Sequence, residues 1–264
     1  MTRTSLTGQH ALVTGASRGI GAAIAMALAN ANANLTLIGR NAADLKSLVE
    51  KLPGSGRKCI HAADVTDATQ IHQAIRACTQ ELGPLDIVVN NAGQAISAAI
   101  ENTDAVTWQQ MIDVNLTGIY HVIHAAIDSL TQSANPAKPS RIINISSTAG
   151  LTGYPQVSAY VAAKHGVVGL TRSLALELAR KNLTVNAICP GYTNTDIATN
   201  AMEALSQKTD GDREQALKML TARNPQRRLI EPEEVASAVL WLCDPLSRSV
   251  NGQCIVIDGG ETIG

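Results

Sequence analysis

The chain has 264 residues, 45% of them hydrophobic, and a formal net charge of −1. That length suits one large α/β domain, and near-neutral charge without a basic block argues against nucleic acid as a partner. No apolar run approaches the roughly 20 residues of a membrane span, the polar N-terminus predicts no signal peptide, and five cysteines without CxxC or metal spacing read as reduced, mostly buried thiols of a cytoplasmic protein.

Strand and helix patterns alternate from the start. His10–Thr14 is a short apolar strand, followed by a Gly-rich turn and an Ala-rich helix, Ile20–Asn30. Strand Leu35–Ile38 leads to a helix near Ala42–Lys51, and strand Lys58–Ala62 to a helix near Asp67–Leu82. The run Leu85–Asn90 is continuous and β-branched, the pattern of a strand buried on both faces. A long helix is predicted from about Thr107 to Leu130, then strand Arg141–Ile145 and a central helix Ser158–Arg180. Strand Thr184–Cys189, a stretch to about Arg228 without assigned structure, helix Pro232–Leu242 and strand Gln253–Ile257 complete the chain, with Pro232 at a helix N1 position. This βαβα order predicts an α/β fold, a doubly wound parallel sheet in three α/β/α layers. With no linker and no repeat, residues 1–264 read as a single domain. Phe is absent and aromatics make up 2%, so aliphatic side chains must fill the core.

Thr14-Gly15-Ala16-Ser17-Arg18-Gly19-Ile20-Gly21 closes the first strand and opens the first helix. Its glycines permit a tight turn and let backbone N–H groups approach a phosphate at the helix N-terminus. The spacing is Gly-x3-Gly-x-Gly rather than GxGxxG. The same stretch spells the Gly15-x-Ser17-x-Gly19 of a serine-hydrolase elbow, but only one strand precedes it, too few to supply the sheet and oxyanion loop. Ser17 therefore reads as a phosphate or ribose contact. After the second strand stands Arg40 where an acid would bind a ribose 2′-OH. A guanidinium there, with Arg18 nearby, favours a 2′-phosphate and hence NADP(H), with NAD(H) as the alternative. Asp64, beside Val65, is placed to meet an adenine edge or to cap a helix, a task Asp67 could also perform. Asn90-Asn91-Ala92-Gly93 is a polar turn at the C-terminal end of a central strand, where open α/β sheets bind ligands.

Asn115 lies inside a helical pattern, where it is a core hydrogen bonder or a kink that holds a water. Tyr160 and Lys164 are four apart on the central helix, so both stand on one face. An ammonium in hydrogen-bonding range lowers a phenol pKa by roughly 1–3 units, toward acid/base use. The plain alternative is a half-buried Tyr beside a solvated Lys. His121 and His124 stand three apart without a carboxylate cluster and read as core or interface residues rather than a metal site, while His165 points to another helix face. Trp108 and Trp241 read as packing residues.

Thr14–Gly21, Asn90–Gly93, Asn115, Ser147, the Tyr160/Lys164 pair and Pro190-Gly191, in this order, resemble the short-chain dehydrogenase/reductase family, and the likeness extends to Asn251-Gly252-Gln253 and Asp258-Gly259-Gly260. The resemblance implies that Tyr160 protonates an alkoxide as a nicotinamide hydride reaches a carbonyl, and that Lys164 tunes it and holds the nicotinamide ribose. It implies that Ser147, thirteen residues before the Tyr, binds the carbonyl oxygen in preference to Ser146. It further implies that Asn115 anchors a water, that Gly15, Ser17, Arg18, Gly19, Ile20, Gly21, Arg40, Asp64, Val65, Asn91, Ala92, Gly93, Pro190, Gly191 and Thr195 contact the cofactor, and that residues 195–228 form a substrate lid.

Within the family, the stretches His165–Leu170, Leu176–Ala179 and Thr221–Pro225 are similar to 3-oxoacyl-thioester reductases and aromatic-polyketide ketoreductases. Lys138 and Lys181 match positions where such enzymes place basic residues facing a carrier protein or CoA. The resemblance also implies a homotetramer. The expected activity is NADPH-dependent reduction of a 3-oxoacyl thioester or related 3-ketone. The alternatives are an NAD(P)-dependent secondary-alcohol or sugar-alcohol dehydrogenase and a non-catalytic dinucleotide sensor, the last disfavoured by the complete Asn115/Ser147/Tyr160/Lys164 set.

Overall fold

A computed structural model of the chain describes residues 4–206 and 212–263. Seven parallel strands form one sheet: β1 (His10–Thr14), β2 (Asn34–Gly39), β3 (Lys58–Ala62), β4 (Ile87–Asn90), β5 (Ser140–Ile145), β6 (Leu183–Pro190) and β7 (Cys254–Ile257). Their spatial order is β3-β2-β1-β4-β5-β6-β7. Every residue of β1, β4, β5 and β6 is buried, as a sheet covered on both faces requires.

The period-two alternation of each strand divides the core into two. Ala11 and Val13 of β1 join one cluster with Ile24 and Leu28 of α1 (Gly19–Asn30) and Val235 and Val239 of α9 (Pro232–Cys243). Leu12, between them, joins the other, with Ile71 and Ile75 of α3 (Ala68–Leu82), Val122 of α5 (Gly118–Ser133) and Val167 of α6 (Ser158–Leu178). The chain winds outward from β1 to β3 through α1 and α2 (Ala42–Val49), then crosses back to β4. The reversal opens a crevice at the C-terminal ends of β1 and β4, and this crevice locates the functional site.

Three sequence expectations are corrected. The single long helix is two, α4 (Ala105–Ile112) and α5, joined by a π-helical turn at Asp113–Thr117 that holds the buried Asn115. The expected kink is thus an inserted residue in the hydrogen-bond ladder. The segment without assigned structure contains α7 (Asp196–Ser206) and α8 (Arg213–Leu220), the latter capped by Asp212, whose side chain accepts from the Gln215 N–H. Residues 207–211 of the expected lid lie outside the described residues. Trp108 and Trp241 are 40% and 47% exposed, on α4 and α9, and the core clusters are built mainly from aliphatic side chains and Ala instead. By contrast, Pro232 does open α9, within a capping box of Glu231 and Glu234.

The N-terminal edge of the sheet is braced by polar groups. Asp86, buried before β4, accepts from the His10 N–H at 2.8 Å and from the Ser133 hydroxyl, and pairs with the Lys138 ammonium at 2.6 Å. Lys138 precedes β5 and Lys181 precedes β6, so within one chain both stand at the edge opposite the crevice. Lys138 in particular is occupied by a structural carboxylate.

Candidate active site

Thr14 ends β1, and its hydroxyl oxygen accepts the N–H groups of Asn91 and Ala92 at 3.0 and 3.1 Å. The Asn91 amide returns two bonds of 3.0 Å to the carbonyls of Thr14 and Gly15. The glycine turn after β1 and the asparagine turn after β4 are thereby stitched together. A Cβ on Gly15 would lie 2.8 Å from Ala92 Cα, at a φ of +61°, and one on Gly21 would lie 2.2 Å from the Gly15 carbonyl oxygen. Arg18, extended at the N-cap of α1, supplies no side-chain cap, so the first-turn N–H groups face the cleft without a protein acceptor. The donor set and the bare backbone fit the pyrophosphate of a dinucleotide.

Gly15, Ser17, Arg18, Gly19, Ile20, Arg40, Asp64, Val65, Asn91, Ala92, Gly93, Asn115, Tyr160, Lys164 and Thr195 all line this one cleft. Gly21 lies behind the turn, and Pro190, Gly191 and Ser147 are not part of the lining. The Gly191 N–H is spent on the Ile257 carbonyl at 3.0 Å. Arg40 is exposed at the end of β2. Asp64 accepts from the Thr66 N–H and hydroxyl at 2.9 and 2.8 Å, whereas Asp67 caps α3. Arg18 pairs at 3.1 Å with Asp196, the first residue of α7, so the start of the expected lid reaches over the phosphate turn.

At another corner of the cleft, Tyr160 and Lys164 stand one turn apart near the N-terminus of α6. The ammonium is 5.6 Å from the Tyr160 ring centroid and donates to the Ile145 carbonyl at 2.9 Å. Burial lowers Lys164 from 10.5 to about 8. Burial also pushes the Tyr160 phenol up to about 12, against an opposing pull from the Ser147 hydroxyl beside it. The expected lowering of Tyr160 by Lys164 is therefore not met by the protein alone: desolvation is the largest influence on each group and favours the neutral form of each. Ser147 also caps the short turn Thr148–Gly150, accepting from the Ala149 N–H at 3.1 Å. Ser146 lines the cleft instead, donating to the Lys164 carbonyl at 3.2 Å.

Asn115 is first of all a brace. Its amide donates to the carbonyls of Gln94 and Met111 at 2.9 and 3.0 Å, and its oxygen accepts from the Gln94 N–H at 3.2 Å. The π-turn is thus locked to the loop after β4. Away from this corner, His121 bonds the Val65 carbonyl at 3.0 Å and His124 packs against Tyr120 and His72. His165 is exposed and bonds the Val161 carbonyl at 2.9 Å. Thr14 and Asp196 were missed by sequence reasoning. A hydroxyl at a strand end before a glycine turn is a usable signal for the first, while nothing local marks the second.

A backbone-lined phosphate seat at the β1/β4 crevice, beside a Tyr–Lys turn, defines a dinucleotide-dependent oxidoreductase class. The family model described as enoyl-(acyl carrier protein) reductase matches residues 15–262, and the chain belongs to the short-chain dehydrogenase/reductase family. It is an NAD(P)-dependent enzyme acting on hydroxyl or keto groups. It is 39% identical to D-beta-hydroxybutyrate dehydrogenase from Cupriavidus necator over 97% of this chain and 98% of that protein. A 3-oxoacyl-(acyl-carrier-protein) reductase from Thermotoga maritima is 36% identical over 98% and 99%. The crystal structure of an actinorhodin polyketide ketoreductase variant with NADPH superposes with a TM-score of 0.87 at 34% identity, covering 100% of this chain and 99% of that one. Among the described residues, no helix is long and apolar enough to cross a membrane.

Proposed function

We propose that this enzyme is an NADPH-dependent carbonyl reductase whose substrate is a 3-oxoacyl thioester, on CoA or a carrier protein, or a related 3-ketone. The observation that carries the reading is the placement of Tyr160 and Lys164 on one helical turn with the Ser147 hydroxyl beside the phenol, at the mouth of the phosphate seat.

The α1 N-terminus and the Gly15–Gly21 turn hold the pyrophosphate, and Arg40 the 2′-phosphate. A dinucleotide held there would supply, through its nicotinamide, the hydride for a carbonyl carbon at the Tyr160/Lys164 corner of the cleft. Ser147 donates to the carbonyl oxygen and orients it. Tyr160 gives its proton to that oxygen as negative charge develops, so the phenol must be protonated before the step, which a pKa near 12 ensures. Lys164, at about 8, is still an ammonium at pH 7 and stabilises the phenolate left behind. Asn115 holds the loop and the π-turn in register and offers its remaining lone pair to a water that returns the proton. Helices α7 and α8 serve as the lid over the substrate. The apolar side chains left exposed on α4 and α5, Val106, Trp108 and Tyr120, suit the homotetramer. A carrier-linked substrate finds neither Lys138 nor Lys181 at the cleft of the same chain.

The test of the activity is loss of NADPH absorbance against 3-ketoacyl-CoA, diketones and quinones. Fastest turnover of the 3-ketoacyl-CoA is expected. No consumption with any ketone, together with oxidation of secondary alcohols on NAD+, would favour the dehydrogenase reading, which the D-beta-hydroxybutyrate dehydrogenase relative makes the natural second choice.

Cofactor choice is tested separately by Arg40→Asp. Replacing a guanidinium with a carboxylate should lower kcat/KM for NADPH by about 10- to 100-fold and leave NADH within a few-fold. An unchanged NADPH/NADH ratio removes Arg40 from the argument.

A further inference from the structure

Around the turn that follows Ser147 stands a group of side chains that the reduction chemistry leaves unused, drawn from four distant stretches of chain. Tyr192 follows Pro190-Gly191 at the end of β6. Its ring meets that of Tyr154 edge-on, with centroids 6.4 Å apart. The Tyr154 phenol donates to the Glu261 carboxylate at 2.6 Å and lies 2.8 Å from the hydroxyl of Thr148, the neighbour of Ser147. Over the Tyr154 ring, 4.8 Å from its centroid, sits the guanidinium of Arg223.

Arg223 is exposed and makes no hydrogen bond or ion pair among the described residues. The backbone beside it is nevertheless held. The adjacent Asn224 is buried, donates to the Arg228 carbonyl at 2.9 Å and accepts from the Gln226 N–H at 2.8 Å. Gly259 leaves so little room that a Cβ there would be 2.3 Å from the Asn224 amide oxygen. Glu261 is committed to Tyr154 and lies beyond ion-pair range of Arg223, so simple charge neutralisation does not account for the guanidinium. Five N–H donors in a planar fork, held over a ring that is anchored to the turn following Ser147, form a receptor for anionic oxygen.

We propose that Arg223 binds an anionic oxygen group of the ketone substrate, a carboxylate or a phosphate carried beyond the reacting carbonyl, with Tyr154 and Glu261 as the positioning residues that hold it. This rests on the reductase reading and narrows its substrate class to oxo acids or phosphate-bearing thioesters.

The experiment compares wild type, Arg223→Gln and Arg223→Lys on two matched pairs. The first is acetoacetate against ethyl acetoacetate; the second is 3-oxobutanoyl-CoA against the phosphate-free N-acetylcysteamine thioester. Wild type should prefer the charged member of at least one pair. Arg223→Gln should lower kcat/KM for that member by about 10- to 100-fold, mainly through KM, and move its neutral counterpart by no more than about threefold, with Arg223→Lys recovering part of the loss. Loss on acetoacetate identifies a carboxylate as the ligand, and loss on the CoA ester a phosphate. Equal losses on charged and neutral members, or a wild type indifferent to charge in both pairs, overturn the assignment of Arg223 while leaving the reductase intact. If Arg223→Gln does not fold, the wild-type preference and its reduction in Arg223→Lys decide the matter. No turnover of any of the four ketones with either cofactor overturns both readings together.

Discussion

Tyr160→Phe should lose about two to four orders of magnitude in kcat/KM, the usual contribution of a positioned proton donor. The substitution removes one hydroxyl and leaves the ring in place on α6. The proton that completes the reduction then has no donor, because Ser147 must keep its own to orient the carbonyl oxygen and Lys164 stands over the ring 5.6 Å from its centroid. Dinucleotide affinity, measured by quenching or by isothermal titration, should change little, since the phosphate seat is built from the Gly15–Gly21 turn and Arg40. Full turnover in this variant would overturn the proposed mechanism. Loss of cofactor binding along with activity would make Tyr160 a structural residue.

Lys164→Met should abolish activity and yet raise the stability of the cofactor-free protein. Lys164 is 3% exposed, and burial is the cause of its fall from 10.5 to about 8. The sign follows from proton binding. Between pH 8 and 10.5 the unfolded chain holds this proton and the folded chain has lost it, so stability rises with pH across that window. Below pH 8 the folded protein carries a buried cation at a deficit of roughly 3 kcal/mol relative to an exposed lysine. Methionine has similar length and no charge, but it forfeits the bond to the Ile145 carbonyl, so the net gain should be about 1–2 kcal/mol, a rise in Tm of roughly 2–8 °C at pH 7. The gap between the two melting curves should narrow as pH is raised from 8 to 10. A lower Tm for the variant at pH 7, or a gap that ignores pH, would show that Lys164 is not strained by burial. Such a trade of stability for chemistry is common where a fold holds a reactive group out of water.

That prediction could not have been drawn from the spacing of Tyr160 and Lys164. Four residues on a helix place both groups on one face, and the pairing rule then suggests mutual stabilisation of ammonium and phenolate. Whether attraction or desolvation wins depends on how completely β5, β6 and the loop after β4 exclude water from that face, a property of segments far away in sequence. The same limit applies to Asn115. Its poor helix propensity flagged a disturbance, but the form it took, a π-turn bonded to Gln94, required the loop after β4 to be in place. Lys138 shows the same limit. A surface lysine was matched to a partner's docking site, whereas the fold pairs it with the buried Asp86, just before β4.

What the amino-acid order determines by itself is what repeats over short distances. Strand alternation, helical periodicity, glycines where a side chain would collide and the strand–turn–helix context of the phosphate seat were all legible, and so were the fold class and most of the residues lining the cleft. The tertiary structure alone decided three things: the stitching of Thr14 to Asn91, the strap from Arg18 to Asp196, and the assembly of Tyr154, Arg223 and Glu261 at the turn after Ser147. These join residues tens to more than a hundred positions apart, and no local period encodes them. They exist because the sheet brings distant strand ends to one edge, and because burial there sets the energy of every charge.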